Sequence, residues 1–293
     1  MLGENRDALC EFLRRAIGHS LTGDTTEDLF FIAYGRGRNG KTTFLNTIRA
    51  LLGDYSKQAD AGTFLRRKQE GGPREDLVVL RGARFVPAVE TDEGQRLAEA
   101  LVKALTGGES LSTRGLYGHQ QEFRPTFKIW LATNHRPLIT GTDLAVWRRI
   151  RLVPFLYTVP EETQDPHLEE KLREELPGIL AWAVRGCLAW QRSGLPTPQP
   201  VREATADYRA ESDPVGNWLD ECCEVAEGTA ASAHEVYHSY VAWARNNGDT
   251  PLLQRGFANR LRERGFASEK KAGFRWWNGL ALRGPRTNED QRS

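Results

Sequence analysis

The chain has 293 residues, 39% hydrophobic and 27% charged, with 40 basic side chains against 39 acidic ones for a net charge of +1. This composition excludes disordered, collagen-like and disulfide-scaffold classes. No apolar run approaches the roughly 20 residues that span a bilayer, and residues 1–7 lack the apolar stretch of a signal peptide, so no membrane partner is expected and the chain should stay where it is made.

Residues 5–20 place Leu9, Phe12, Leu13 and Ile17 at helical spacing. Residues 29–34 are continuously apolar and stop at Gly35, as in a strand buried on both faces of a parallel sheet. A helix is expected over 41–52, a second strand over 83–90, a helix from about Gln95 to Leu105, and strands at 127–133 and near 149–153. Strands alternating with helices predict an α/β fold with a mostly parallel sheet. Pro87 lacks the amide donor that a ladder needs, which predicts a local bulge.

Beyond Phe155 the pattern becomes helical: 165–192, broken or kinked at Pro177, and about 201–225. Between them Gly194–Pro200 carries the linker composition. Helices follow at His234–Asn246 and Leu252–Arg264. Phe274–Trp277 and Leu280–Leu282, separated by Asn278-Gly279, read as a hairpin because both turn positions tolerate positive φ. Two helices and a hairpin fit a winged helix-turn-helix. Cys10, Cys187, Cys222 and Cys223 include no Cys-x-x-Cys and read as reduced thiols.

Gly35-Arg36-Gly37-Arg38-Asn39-Gly40-Lys41-Thr42 satisfies every fixed position of the phosphate-loop pattern, in its proper strand–loop–helix context. Chance alone yields the pattern in about one chain of this length in a hundred. The loop amides, with the helix N-terminus behind them, cradle an anion. Gly35, Gly37, Arg38, Asn39, Gly40, Lys41, Thr42 and Thr43 are therefore the candidate nucleotide-binding residues. Lys41 would meet the β- and γ-phosphates and Thr42 would ligate Mg²⁺, giving ATP and Mg²⁺ as the expected ligands. An acidic residue must end a neighbouring strand. Glu90 is assigned to metal and water, with Asp92 and Glu93 as alternatives.

From residue 252 to 286 there are nine basic residues and two acidic ones. Arg260, Arg264, Lys270 and Lys271 are candidate phosphate contacts. Trp276 and Trp277 read as core.

Residues 7–155 resemble superfamily 3 helicases, within them the poxvirus-like, phage and plasmid primase-helicases. The match is carried by Ser20–Asp24, the loop with Asn39-Gly40, Glu90–Gly94, Leu105–Glu109, Phe123–Lys128, Trp130–Pro137, Trp147–Ile150 and Pro154-Phe155. The tail from Val201 resembles the C-terminal region of the same proteins.

The resemblance implies an AAA+-like ATPase core. It implies that Asn134 senses the γ-phosphate and that Arg148, with Arg149 as fallback, is an arginine finger reaching the next subunit of a ring, usually a hexamer. It places a DNA-contacting hairpin at 107–124, where Arg114, Tyr117 and His119 are candidates. Movement on single-stranded or forked DNA, generally 3′ to 5′, follows from the family, as does a setting in bacterial host cytoplasm. Relatives often carry a primase domain upstream. Only 34 residues precede the loop here, so a stand-alone motor or a piece of a longer protein is expected, with primase as a possible partner.

The expected organisation is an N-terminal helical segment over 1–28, the ATPase core over 29–158, and a helical region over 159–226. A winged helix-turn-helix over 227–286 and a disordered tail over 287–293 complete it. The leading expectation is a DNA helicase; the alternative is an ATP-driven origin-binding switch that does not unwind. A small-molecule kinase would leave Asn134, Arg148 and the basic tail unexplained.

Overall fold

The computed structural model describes residues 2–67, 74–90, 93–114, 120–139, 144–248, 250–271 and 273–283. Two compact units divide the chain, Met1–Tyr208 and Arg209–Ser293.

The first unit is built on a five-stranded parallel sheet. Its strands are β1 (Phe30–Tyr34), β2 (Ala59–Asp60), β3 (Phe85–Glu90), β6 (Lys128–Thr133) and β7 (Ile150–Pro154), in the spatial order β2-β3-β6-β1-β7. Between β3 and β6 in sequence lies an antiparallel pair, β4 (Leu111–Arg114) and β5 (Gln120–Phe123). The acidic strand β3 is therefore separated from the phosphate-loop strand β1 by β6.

The apolar runs alternate between two cores, as a strand covered on both faces must. Phe30, Ile32, Ile129 and Leu131 enter one core, packed with Val102 and Leu105 of α4 (Glu99–Thr106). Phe31, Trp130 and Val153 enter the other, against Phe12, Ala16 and Ile17 of α1 (Leu2–Ser20), Leu45 and Ile48 of α2 (Lys41–Leu52) and Ala183 of α7 (Leu176–Ser193). Trp130 stacks on Phe31 with centroids 4.2 Å apart and planes 8° from parallel. Each such fully buried side chain contributes roughly 1.5–3 kcal/mol.

Pro87 produces no bulge. The β3–β6 register runs unbroken from Phe85↔Lys128 to Glu90↔Thr133. Lys57 donates its amide to Phe85 O, so by the two-residue alternation Pro87 also faces β2. That strand is two residues long and pairs with Ala88 and Val89. Ser56 bridges Phe85 in the same register, so the pairing on this edge is interrupted beside Pro87, whose missing donor faces it.

The helical stretch from 165 breaks into α6 (Leu168–Glu174) and α7, with Pro177 in the first turn of α7, where an absent amide costs nothing. Leu195 in the extended 194–198 segment is buried in the second core. The single helix expected over 201–225 is two, α8 (Gln199–Glu211) and α9 (Pro214–Cys222). Asp213 separates them, its carboxylate accepting from the Gly216 amide as the cap of α9. The division between the units falls inside α8.

The second unit has α9, α10 (Ala233–Asn246) and α11 (Gln254–Glu263) on a three-stranded sheet ordered β8-β10-β9, formed by β8 (Cys223–Ser232), β9 (Ser268–Lys271) and β10 (Phe274–Leu282). The Asn278-Gly279 hairpin is a correction. β10 runs straight through this pair, Gly279 adopts φ 78°, and the register with β8 shifts there. The left-handed residue serves a bulge rather than a reversal. The reversal lies between β9 and β10, near Gly273. Trp277, Trp218, Tyr240 and Phe257 form this unit's core, and Trp276 is half-buried.

Candidate functional site

β1 delivers the chain to Gly35 at its C-terminal edge, and the loop curls back into α2. A Cβ at Gly35 would lie 2.0 Å from Phe155 O, so only glycine lets β1 and the segment after β7 approach this closely. Gly40 caps α2 at φ 82°, in the left-handed region that glycine enters without strain. Asn39 ties the loop to the sheet, its Nδ2 donating to Phe155 O at 2.8 Å. That structural duty was not legible in the motif.

The loop lines a cleft of about 320 Å³ with Gly37–Thr43 on one side and Val89, Ala132, Thr133 and Asn134 on the other. Lys41 is 6% exposed. Its ammonium donates to Gly35 O (2.6 Å), Asn39 Oδ1 (2.9 Å) and Asn134 Oδ1 (3.1 Å). All three acceptors are neutral, and Lys41 forms no ion pair among the described residues. Burial lowers the Lys41 pKa. A desolvated cation held by neutral oxygens, beside glycine amides, fits a polyanion.

Asn134 reaches this cluster because β6 is hydrogen-bonded beside β1, with Thr133 opposite Tyr34. Thr133 Oγ1 donates to His135 O at 2.5 Å and fixes the turn that presents Asn134. Glu90 closes β3 in register with Thr133; its carboxylate and all of Asp92 lie outside the described residues. Glu93 is exposed, 4.0 Å from His135 Nδ1. Thr42 lines the cleft. A hydroxyl from α2 and a carboxylate from the end of β3 are a donor set that suits Mg²⁺ arriving with a nucleotide.

The two candidate finger residues separate cleanly. Arg149 is buried, and its guanidinium donates to Thr106 Oγ1 (3.0 Å) and Ala145 O (2.7 Å) and pairs with Asp28 at 3.5 Å. It is committed inside its own subunit. Arg148 is exposed and makes no side-chain contact among the described residues.

Of the hairpin candidates, Tyr117 and His119 lie outside the described residues, and Arg114 is placed only by its backbone, opposite Gln120. In the second unit, Arg264 pairs with Asp213, and Arg260, half-buried, sits 3.6 Å from Glu263. Lys271 pairs with Glu269 at 2.5 Å, and Lys270 is exposed. Arg255, Arg262 and Arg275 are also exposed, and they line a cleft of about 360 Å³ beside Trp277. The Arg262 guanidinium lies 5.8 Å from the Trp277 ring centroid. Helical spacing could have separated Arg255 and Arg262 from Arg260 and Arg264, since Phe257 and Leu261 mark the inward face of α11.

The family described as Poxvirus D5 protein-like matches residues 210–289. The chain is 24% identical over 257 residues to a protein of Acanthamoeba polyphaga mimivirus named "Putative helicase", covering 81% of this chain and 27% of that protein. It is 26% identical over 264 residues to a protein of the same name from Frog virus 3, covering 83% and 27%. The chain thus spans about a quarter of the length of these curated relatives. Among solved structures, the C-terminal region of NrS-1 superposes with a TM-score of 0.51 at 10% identity, covering 95% of this chain and 72% of that one, which shows a shared fold. The resemblance to superfamily 3 primase-helicases therefore stands as a similarity to viral proteins named putative helicases. No helix among the described residues is long and apolar enough to cross a membrane.

Proposed function

We propose that this chain is the ATP-hydrolysing motor of a replicative DNA helicase. The observation that carries the reading is the buried Lys41 ammonium, held on neutral oxygens at the junction of the phosphate loop and Asn134.

Lys41 and the loop amides bind the triphosphate, and Lys41 exchanges its contact with Gly35 O for phosphate oxygen. Thr42 and Glu90 hold Mg²⁺, which supplies charge neutralisation at the phosphates. Glu90, or Asp92 or Glu93, takes the proton of the attacking water. Asn134 orients that water and reports the γ-phosphate, since its amide donates and accepts at once. Arg148, exposed and without a side-chain hydrogen bond or ion pair among the described residues, completes the site of a neighbouring copy, and this requires a ring, with six copies as the family's usual number. The β4–β5 hairpin, with Arg114, Tyr117 and His119, grips single-stranded DNA by charge and stacking. Arg255, Arg262, Arg275 and Lys270 of the second unit anchor DNA through phosphates. Movement 3′ to 5′, a phage, plasmid or other mobile replicon, and a bacterial cytoplasmic setting follow from the resemblance.

The test is displacement of one strand of a forked duplex. ATP-dependent unwinding that Lys41→Ala abolishes supports the motor. DNA-stimulated hydrolysis without unwinding favours the second reading, an ATP-driven assembly switch anchored on DNA by the arginines of the second unit.

A further inference from the structure

In the second unit, Trp277 of β10 is buried in the core among side chains of α10 and α11. Side chains alternate along a strand, so Phe274 and Trp276 project from the opposite face. An antiparallel sheet that turns one face to water carries polar side chains there as a rule. Here that face carries two aromatic rings two positions apart: Phe274 is 70% exposed and Trp276 is half-buried. The surroundings are cationic. In the register with β9, Lys271 stands opposite Phe274 and Lys270 opposite Arg275, and all three cations are exposed. Glu269, opposite Trp276, is paired with Lys271 at 2.5 Å.

We propose that Phe274 and Trp276 form a stacking platform for two bases of single-stranded DNA. The inference rests on the reading that the second unit holds DNA through its phosphates, and it adds base contact to that reading. A lone exposed ring needs no explanation. Two rings on one strand face, rimmed by cations, match what an unpaired strand offers: flat bases for the rings and phosphates for the charges. Charge selects the occupant. An apolar protein segment would gain nothing from Lys270, Lys271 and Arg275, and a second copy docked through the same patch would set these cations against one another. Spacing selects the single strand. Side chains two residues apart on a strand lie about 6.8 Å apart, against roughly 3.4 Å per nucleotide in a duplex strand. A base on each ring therefore needs an extended, unpaired strand. Trp276 and Trp277 are adjacent in sequence, and the alternation gives one to the core and the other to this face.

The first test is photocrosslinking of the full chain to a single-stranded oligonucleotide carrying 5-bromodeoxyuridine, with the crosslinked residues mapped by mass spectrometry. Crosslinks at Phe274 or Trp276 are expected, and crosslinks confined to other residues would overturn the platform. The second is fluorescence anisotropy with a single strand and with a duplex of the same sequence. Phe274→Ala should weaken single-strand binding about tenfold and leave both duplex binding and the salt slope unchanged, since no phosphate contact is lost. Phe274→Tyr should keep the affinity. Phe274→Leu should lose as much as alanine, because leucine supplies apolar bulk without a flat ring. Full affinity in Phe274→Leu, or equal losses on single strand and duplex, would overturn stacking. Arg275→Ala separates the two readings: it should lower the salt slope by about one unit. An original chain that binds neither form of DNA would overturn the DNA-binding reading itself.

Discussion

Lys41 Nζ donates to Asn134 Oδ1 at 3.1 Å, joining the first residue of α2 to the residue that follows β6. The contact links the group proposed to hold the phosphates to the group proposed to sense them. Among the described residues no carboxylate pairs with the ammonium.

Asn134→Asp should weaken nucleotide binding. The new carboxylate would sit 3.1 Å from the ammonium and compete with phosphate for it. Asn134→Ala should leave binding near its original value and lower kcat by about 100-fold, the usual loss when one positioned transition-state donor is removed. Calorimetry beside steady-state hydrolysis separates the two effects. Equal behaviour of the two variants would contradict the role given to Asn134.

Arg148→Ala and Arg149→Ala should differ in kind. Arg149 is buried with three partners, and its loss should cost about 3 kcal/mol in urea unfolding. Arg148→Ala should leave unfolding unchanged and abolish hydrolysis. Mixing it with Lys41→Ala should restore activity, because one copy keeps the loop and the other keeps the finger. No restoration on mixing would remove the finger assignment.

His19 gives the fold an acid sensitivity. It is 1% exposed, packed against Trp190 with centroids 4.5 Å apart and planes tilted by 37°, and neither ring nitrogen has a hydrogen-bond partner among the described residues. Burial, reinforced by the Lys128 ammonium and opposed by Asp24, lowers its pKa to about 4. Above pH 6.5 the imidazole is neutral folded or unfolded, and nothing is lost. As pH falls from 6.5 to about 4, the unfolded chain takes up a proton that the folded chain refuses, and stability drops by about 3 kcal/mol before levelling. His19→Phe should remove that slope in urea unfolding followed across this window. An identical slope in the variant would show that other groups set it.

In the second unit, Arg264→Ala should lower Tm by breaking its pair with the Asp213 cap of α9, with little effect on DNA affinity. Arg255→Ala, Arg262→Ala and Arg275→Ala should each weaken DNA binding across sequences and reduce its salt slope by about one unit. Fluorescence anisotropy against salt concentration checks both halves. DNA affinity lost on Arg264→Ala without a change in Tm would restore that residue to the contact set.

What was legible in the sequence was what local pattern controls. The apolar run at 29–34 announced a buried parallel strand and a further strand was expected at 127–133, and the loop before Lys41 announced itself by its fixed glycines. What stayed hidden depended on partners distant in sequence. Arg149 looks like any surface arginine until Thr106 and Asp28 are seen beside it. Lys128, nearly fully buried and donating to Thr22 O and Asp24 O, reads as a charge that ought to face solvent. Asn278-Gly279 carries the strongest local hairpin signal, yet β8 pairs along both sides of it and turns the left-handed glycine into a bulge. Tertiary pairing overrode the turn preference there, as it overrode the bulge expected at Pro87.

The most direct measurement is ATP hydrolysis by the full chain with and without single-stranded DNA, beside Lys41→Ala. The account predicts hydrolysis that DNA stimulates strongly and that the substitution abolishes. Hydrolysis at the same rate in Lys41→Ala, or a rate that DNA leaves unchanged in an assembled ring, would contradict a DNA-dependent motor built on this loop.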